Sequence, residues 1–404
     1  MRNKNKTPDL DLYDEELRSP KPKKKKKKKG SGLVGRIIRR FFLVLFTVII
    51  LILAALVLVM NLVFNGPSPA ARSVLTMSLL EPSATKWIPG LFLEPEVLDS
   101  IRNGVTDNSI DEITDTNLVN IDRSGIISGS NDEWANHPDG VYIKSYQGST
   151  FNAHIMVVRD PKNVFMGTST EKYSTEIPGK RLNEVMAEAD ESIIAAINAG
   201  AFNDDGTANS YVGSVPAGIV YSQGTFRCNQ YRGNIPIAET GGGFVGFDVN
   251  DKLVVAKSMT EDEAARLQIR DGCEFGPPLI INGEVNQEAY NKASGWNPRT
   301  AIGQRADGAV IFLCIDGRQA GSAGGTYRDV TDIMMEYGAV NACNLDGGSS
   351  SVMLYRDTQG LFGEAGQVQM INSYSVLQSK PRRMPNYWLV RAVASIVLAG
   401  STAA

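Results

Sequence analysis

The chain has 404 residues, enough for one large domain or two ordinary ones, and with 43% apolar and 21% charged residues it excludes wholesale disorder. The net charge of −3 hides an asymmetry: residues 1–40 hold 15 Lys/Arg against 5 Asp/Glu, while the other 364 hold 26 against 39. An acidic body argues against nucleic acid as a partner, and two histidines, His137 and His154, exclude a histidine-rich metal site and make a Ser-His-Asp triad hard to build.

Residues 1–40 read as a cytoplasmic polybasic tail, with a Lys run at 23–29 held near anionic headgroups. Residues 41–64 carry no charge over 24 positions, which at about 1.5 Å per residue crosses a hydrocarbon core of about 30 Å. The Lys/Arg-rich flank precedes this segment, so the expected topology is a single-pass cell-membrane protein with its N-terminus inside and the rest extracellular. A cleaved signal peptide is the competing reading; its apolar region would be shorter. The C-terminal apolar run at 393–400 is too short for a second span. None of the four cysteines, Cys228, Cys273, Cys314 and Cys343, forms a CxxC, and small buried hydrophobe is the expected role for Cys314 and Cys343.

Residues 65–139 read as a membrane-proximal stalk with short helices, partly wrapped on the main domain. From 140 to 395 the pattern becomes globular. VYIKSY (141–146) and AHIMVVRD (153–160) alternate as strands do. RLNEVMAEAD (181–190) sets Leu182, Val185, Met186 and Ala189 on one helical face. SIIAAIN (192–198) reads as a buried strand entering a glycine-rich turn. A hairpin is expected around Asn250-Asp251, and Thr260 with Glu263 forms a capping box.

The most regular unit runs from 309 to 355. AVIFLCID (309–316) is a strand. Thr326 and Asp329 cap a helix whose Val330, Ile333, Met334 and Tyr337 recur with helical period, and Gly338 ends it. AVNACNLD (339–346) is the next strand, followed by GGSSS. This is a β-α-β unit with an Asp at the end of each strand, and ligands gather beyond such ends. If the two strands are neighbours, Asp316 and Asp346 point to one crevice. The expected fold class is α+β: a mixed sheet with packed helices, as one domain after a single transmembrane helix.

Six segments then occur in order: AAINAGAFN (195–203), VPAGIV (215–220), GPPLIINGEV (276–285), RTAIGQRADG (299–308), the run 314–355 containing LDGGSSS, and PRRMPNYWLV (381–390). Together they resemble the phosphodiester glycosidase family over roughly 150–391. The sequence departs from that pattern at Ser349, where the family usually has a third glycine, and in the expanded loop NDDGTANSYVG (203–213).

The resemblance implies hydrolysis of a sugar–phosphate bond in a phosphodiester. Such a reaction needs a carboxylate for the oxocarbenium-like sugar, and Arg forks or N–H groups for the departing phosphate. Asp346 and Asp316 are the candidate carboxylates, with Glu274 a weaker acid/base candidate. Arg299, Arg318, Asn198, Gly347, Gly348, Ser349 and Ser350 are the candidates for substrate and phosphate. Arg382 and Arg383 either join them or clamp the final strand, and His154 is more readily a satisfied half-buried side chain. Each has a structural alternative: Asp-Gly turns cap themselves, glycines serve backbone geometry, and Asn198 suits an Asx turn. No cofactor is expected, and an oxygen-bound divalent cation is not favoured.

The expected activity is therefore a membrane-anchored, extracytoplasmic phosphodiester glycosidase, with a glycosyl-phosphate polymer or oligosaccharide of the cell envelope or an exopolysaccharide as substrate. The alternatives are a non-catalytic glycan- or phosphopolymer-binding module in envelope assembly, and a phosphoesterase that cuts P–O rather than C–O.

Overall fold

Strand Val310–Ile315 is apolar at every position because both of its faces are covered. Val310, Phe312 and Cys314 enter one core, and Ile311, Leu313 and Ile315 enter another. The same two-sided burial recurs through the body of the protein. The computed structural model describes residues 33–80, 85–103, 112–121, 133–202, 213–230, 243–292, 294–358, 360–375 and 378–392. The Lys run at 23–29, most of the expanded loop at 203–213 and the apolar run at 393–400 lie outside the described residues.

The chain divides into two compact units, residues 1–60 and 61–404. Helix Leu33–Phe64 runs through the first unit into the start of the second, and its segment Gly35–Phe64 is long and apolar enough to cross a membrane. A membrane anchor and a signal sequence both meet that description.

Among the described residues, three large sheets and one two-stranded ladder, Lys180–Arg181 with Arg383–Met384, build the second unit. The largest has the strand order Val141–Gln147, Asn152–Val158, Val310–Ile315, Arg299–Arg305, Ala339–Leu345, Pro278–Ile281, Glu284–Val285. A second holds Thr225–Gln230, Gly218–Ser222, Ile269–Glu274, Phe244–Asp248 and Leu253–Ala256. The third holds Val368–Met370, Met353–Arg356, Ile193–Asn198, Asn386–Arg391 and Val164–Thr168. The fold is thus α+β, with antiparallel ladders joining neighbouring strands in all three sheets.

One core is shared by all three sheets: Phe312 and Cys343 come from the first, Phe247 and Val255 from the second, Ile194 and Trp388 from the third. The Trp388 ring meets Phe247 edge-on at 5.6 Å and 89°, an arrangement aromatic pairs favour. Each sheet has an outer face covered by its own helix. Tyr327–Glu336 lays Val330, Ile333 and Met334 on the first, Leu182–Glu188 lays Leu182, Val185 and Met186 on the third, and Glu261–Arg266 places Ala264 on the second. The capping boxes at Thr260/Glu263 and Thr326/Asp329 both form, Gly338 closes its helix at φ 82°, and the hairpin turns at Asn250-Asp251.

The β-α-β unit differs from the expectation in one respect. Its two strands, Val310–Ile315 and Ala339–Leu345, run in the same direction but are not neighbours. Arg299–Arg305 lies between them, antiparallel to both. The crossover helix therefore spans one extra strand, which contributes its own N-terminal residues between Asp316 and Asp346.

Part of the 65–139 region belongs to this body. Ile113 bridges to Ala256, and Thr114 N–H donates to the Val255 carbonyl. Farther upstream, helix Pro69–Leu80 meets the loop before Arg299. Ser78 Oγ accepts from the Trp296 N–H at 2.7 Å, and a Cβ added to Gly295 would lie 2.0 Å from Ser78 N. Only glycine permits that approach.

Candidate active site

Register fixes which strand ends meet. Arg299 pairs with Ile315 and Thr300 with Leu345, so Asp316 and Asp346 leave the sheet at the same edge, on either side of the first residues of Arg299–Arg305. The turn 198–202 joins this edge to the other two sheets. Asn198 closes a strand of the third sheet, its Oδ1 accepts from Thr300 Oγ1 and from Val352 N–H, both at 3.0 Å, and its side-chain amide donates to the Asp346 carbonyl. Asp346 N–H donates to the Ala199 carbonyl at 3.0 Å, and Ala201 N–H to the Glu274 carbonyl at 3.0 Å. Gly200 sits so close to Cys273 that a Cβ would lie 2.7 Å from its Cβ. Strand ends from all three sheets therefore converge on five residues.

Asp316 is 3% exposed. Its Oδ1 accepts from Ser373 N–H at 2.7 Å, and its Oδ2 lies 3.4 Å from His154 Nε2. His154, on the adjacent strand Asn152–Val158, thus faces a candidate carboxylate. Asp346 is half-buried at the start of the glycine-rich turn.

Glu274 ends strand Ile269–Glu274, with Oε1 accepting from Ile219 N–H at 2.9 Å. Burial pushes its carboxyl up to about 7 against that single opposing hydrogen bond. Gly218, at φ 88°, is pressed on it: a Cβ there would lie 2.5 Å from Glu274 Cδ. A carboxyl near half-protonation at neutral pH is suited to general acid work.

The two candidate arginines have different surroundings. Arg299 is buried, donates from Nε to the Gly325 carbonyl and from Nη2 to the Gly295 carbonyl, and stacks over the Tyr327 ring at 4.4 Å. These contacts hold the loops that frame the edge. Arg318 is half-buried, with φ 56° in the left-handed region, which non-glycine residues seldom adopt. Its Nε and Nη2 both donate to Asn297 Oδ1, at 3.2 and 2.8 Å. Its guanidinium lies against Gly348, where an added Cβ would be 3.3 Å from Nη1.

The segment Gly348–Ser350 is one 3₁₀ turn rather than the start of a long helix. The N–H groups of Gly348, Ser350 and Ser351 donate to the carbonyls of Pro298, Gly347 and Gly348. Of the candidate amides, those of Gly348 and Ser350 are thus committed to protein carbonyls. Side chains offer the polar surface instead: Ser349 Oγ lies 3.5 Å from Arg382 Nη1, and the Arg382 guanidinium stands over the Phe202 ring at 5.2 Å. Arg383 instead grips Glu184 and the Gly179 carbonyl, a clamp on the final strands. Ser350 is buried beneath the turn.

Three contributors carried no signal in the sequence. Asn297 anchors Arg318, Tyr327 supports Arg299, and the Ser373 main chain holds Asp316; all three act across long sequence separations. Among the described residues, no three His, Cys, Asp or Glu side chains gather as a metal set. The cleft lined by Thr116–Ile121 and the 249–252 hairpin involves none of these residues.

Carboxylates, an arginine and a glycine-serine turn thus stand together at one end of the largest sheet. Residues 191–391 match the phosphodiester glycosidase family, and the chain carries a domain of that family. Over 55 residues it is 46% identical to the SPbeta prophage-derived uncharacterized protein YomE of Bacillus subtilis strain 168, a stretch amounting to 14% of this chain and 8% of that relative. Among solved structures it is similar to the zebrafish N-acetylglucosamine-1-phosphodiester alpha-N-acetylglucosaminidase catalytic domain auto-inhibited by its pro-peptide, with 19% identity, TM-score 0.43, and 64% of this chain and 84% of that one covered. A hypothetical protein from Synechocystis (17%, TM-score 0.40, 62% of each chain) and a putative exported protein from Burkholderia pseudomallei (15%, TM-score 0.37, 60% and 74%) are similar too.

Proposed function

We propose that the chain is a membrane-anchored phosphodiester glycosidase whose domain faces outward and cleaves sugar-1-phosphodiester bonds in cell-envelope or exopolysaccharide glycans. The observation that carries the site assignment is the common edge: Asp316, Asp346, Arg318 and the 347–350 turn stand at one end of the largest sheet. The anchor rests on the uncharged helix and the basic flank before it.

A phosphate on an anomeric carbon leaves readily once its charge is stabilised. Arg318, Arg382 and the Ser349 hydroxyl take the departing phosphodiester oxygens. Asp346 or Asp316 meets the cationic sugar as nucleophile or as base for water. Glu274, poised near neutrality, supplies or collects a proton. The C–O bond breaks, water oxygen ends on the sugar, and the phosphate leaves as a monoester.

The test uses the full chain in detergent with sugar-1-phosphodiesters in ¹⁸O-water, wild type beside Asp346→Asn. Label in the released sugar, absent with the variant, is the expected result. Label in phosphate overturns C–O cleavage, and no release by wild type overturns the substrate class.

A further inference from the structure

The second compact unit begins within the last turn of the long apolar helix, at Asn61–Phe64. Phe64 is fully buried, and its ring stacks on Phe92 with centroids 5.0 Å and planes 21° apart. The segment presenting Phe92 is wound tightly. Ile88 N–H donates to the Thr85 carbonyl, Leu91 N–H to Ile88, and Phe92 N–H to Pro89. Such winding advances about 2 Å per residue, so Trp87 lies within about 10 Å of Phe92 along it. Pro89 and Leu93 are buried and hold the segment down. Lys86, Trp87 and Leu91 are turned outward, Trp87 62% and Leu91 67% exposed.

We propose that Lys86, Trp87 and Leu91 form a second membrane contact, seated in the headgroup–acyl boundary of the leaflet where the apolar helix ends. This rests on reading that helix as an anchor. The Phe64–Phe92 stack makes the exposed patch continuous with the end of the apolar segment, so a lipid surface is the partner at hand. The composition fits that layer. An indole has an apolar body and a polar N–H, a leucine suits the acyl edge, and a lysine amine reaches phosphate oxygens. Two attachments restrict how the domain turns over the bilayer, which one flexible tether does not. The restriction passes inward: Thr85 Oγ1 donates to the Leu79 carbonyl, and the neighbouring Ser78 holds the Trp296 N–H, in the loop that Arg299 grips.

The full chain is reconstituted in phosphatidylcholine vesicles containing lipid brominated near the headgroup. The emission difference between wild type and Trp87→Phe isolates Trp87. The expected result is loss of most of that difference to bromolipid and little to aqueous iodide. Adding Leu91→Trp to the Trp87→Phe chain restores a bromolipid-quenched component. Iodide quenching without bromolipid quenching, in a chain that resists alkaline carbonate extraction, overturns the contact and leaves the anchor standing. Release by carbonate overturns both.

Discussion

The side-chain amide of Asn198 donates to the main-chain carbonyl of Asp346. With Thr300 and Val352 on its other end, Asn198 ties two sheets together beside a candidate carboxylate. Its polar atoms are engaged by the protein, so it positions the edge. Asn198→Ala removes these bonds and leaves buried Thr300 Oγ1 and Val352 N–H without their acceptor. Stability falls by about 2–6 kcal/mol in urea titration, at one to three kcal/mol for each of the two stranded groups, and activity falls with it.

Asp346→Asn and Asp316→Asn keep shape and remove charge. If these are the reacting carboxylates, each lowers kcat/KM by about 10² or more, while far-UV circular dichroism is unchanged. A variant with near-normal turnover removes that Asp from the chemistry.

Glu274 gives a pH signature. Its folded pKa of about 7 lies above the unfolded value of 4.5. Between these values the native state holds the proton and the unfolded chain does not, so stability falls as pH rises through this window, and the penalty is complete above about 7. Glu274→Gln removes that slope and gains on the order of 3 kcal/mol relative to wild type at pH 8. If Glu274 is the acid, wild-type kcat/KM also falls above about pH 7, and the variant lacks that limb. Thermal unfolding and rate profiles across pH 4–9 separate the two effects.

Gly348→Ala puts a methyl at φ 61° and 3.3 Å from the Arg318 guanidinium. The backbone cost is about 1 kcal/mol. The larger effect expected is a raised KM, because Arg318 must move. Arg318→Lys loses the two-pronged grip on Asn297 Oδ1 and raises KM with a smaller change in melting temperature.

Local physics made many elements legible in advance. The Thr326/Asp329 box, the stop at Gly338 and the Asn250-Asp251 hairpin each depend on a few adjacent residues. The insertion of Arg299–Arg305 between the strands ending at Asp316 and Asp346 was not legible, because the order of strands in a sheet is set by pairing across the whole chain. For the same reason the sequence marked Arg299 and Arg318 alike, though one frames loops and the other lies against Gly348. Likewise a run of glycine and serine suggests open amides, yet the Gly348 amide is engaged by the Pro298 carbonyl, some fifty residues upstream.

The contact of Ser78 with Gly295 and Trp296 bears on how the enzyme can be handled. A soluble form begun near residue 136, where the globular pattern becomes obvious, lacks the helix that supports the loop in front of Arg299. Poor activity from such a fragment would reflect a missing buttress rather than a wrong substrate. A cut just before Pro69 retains it.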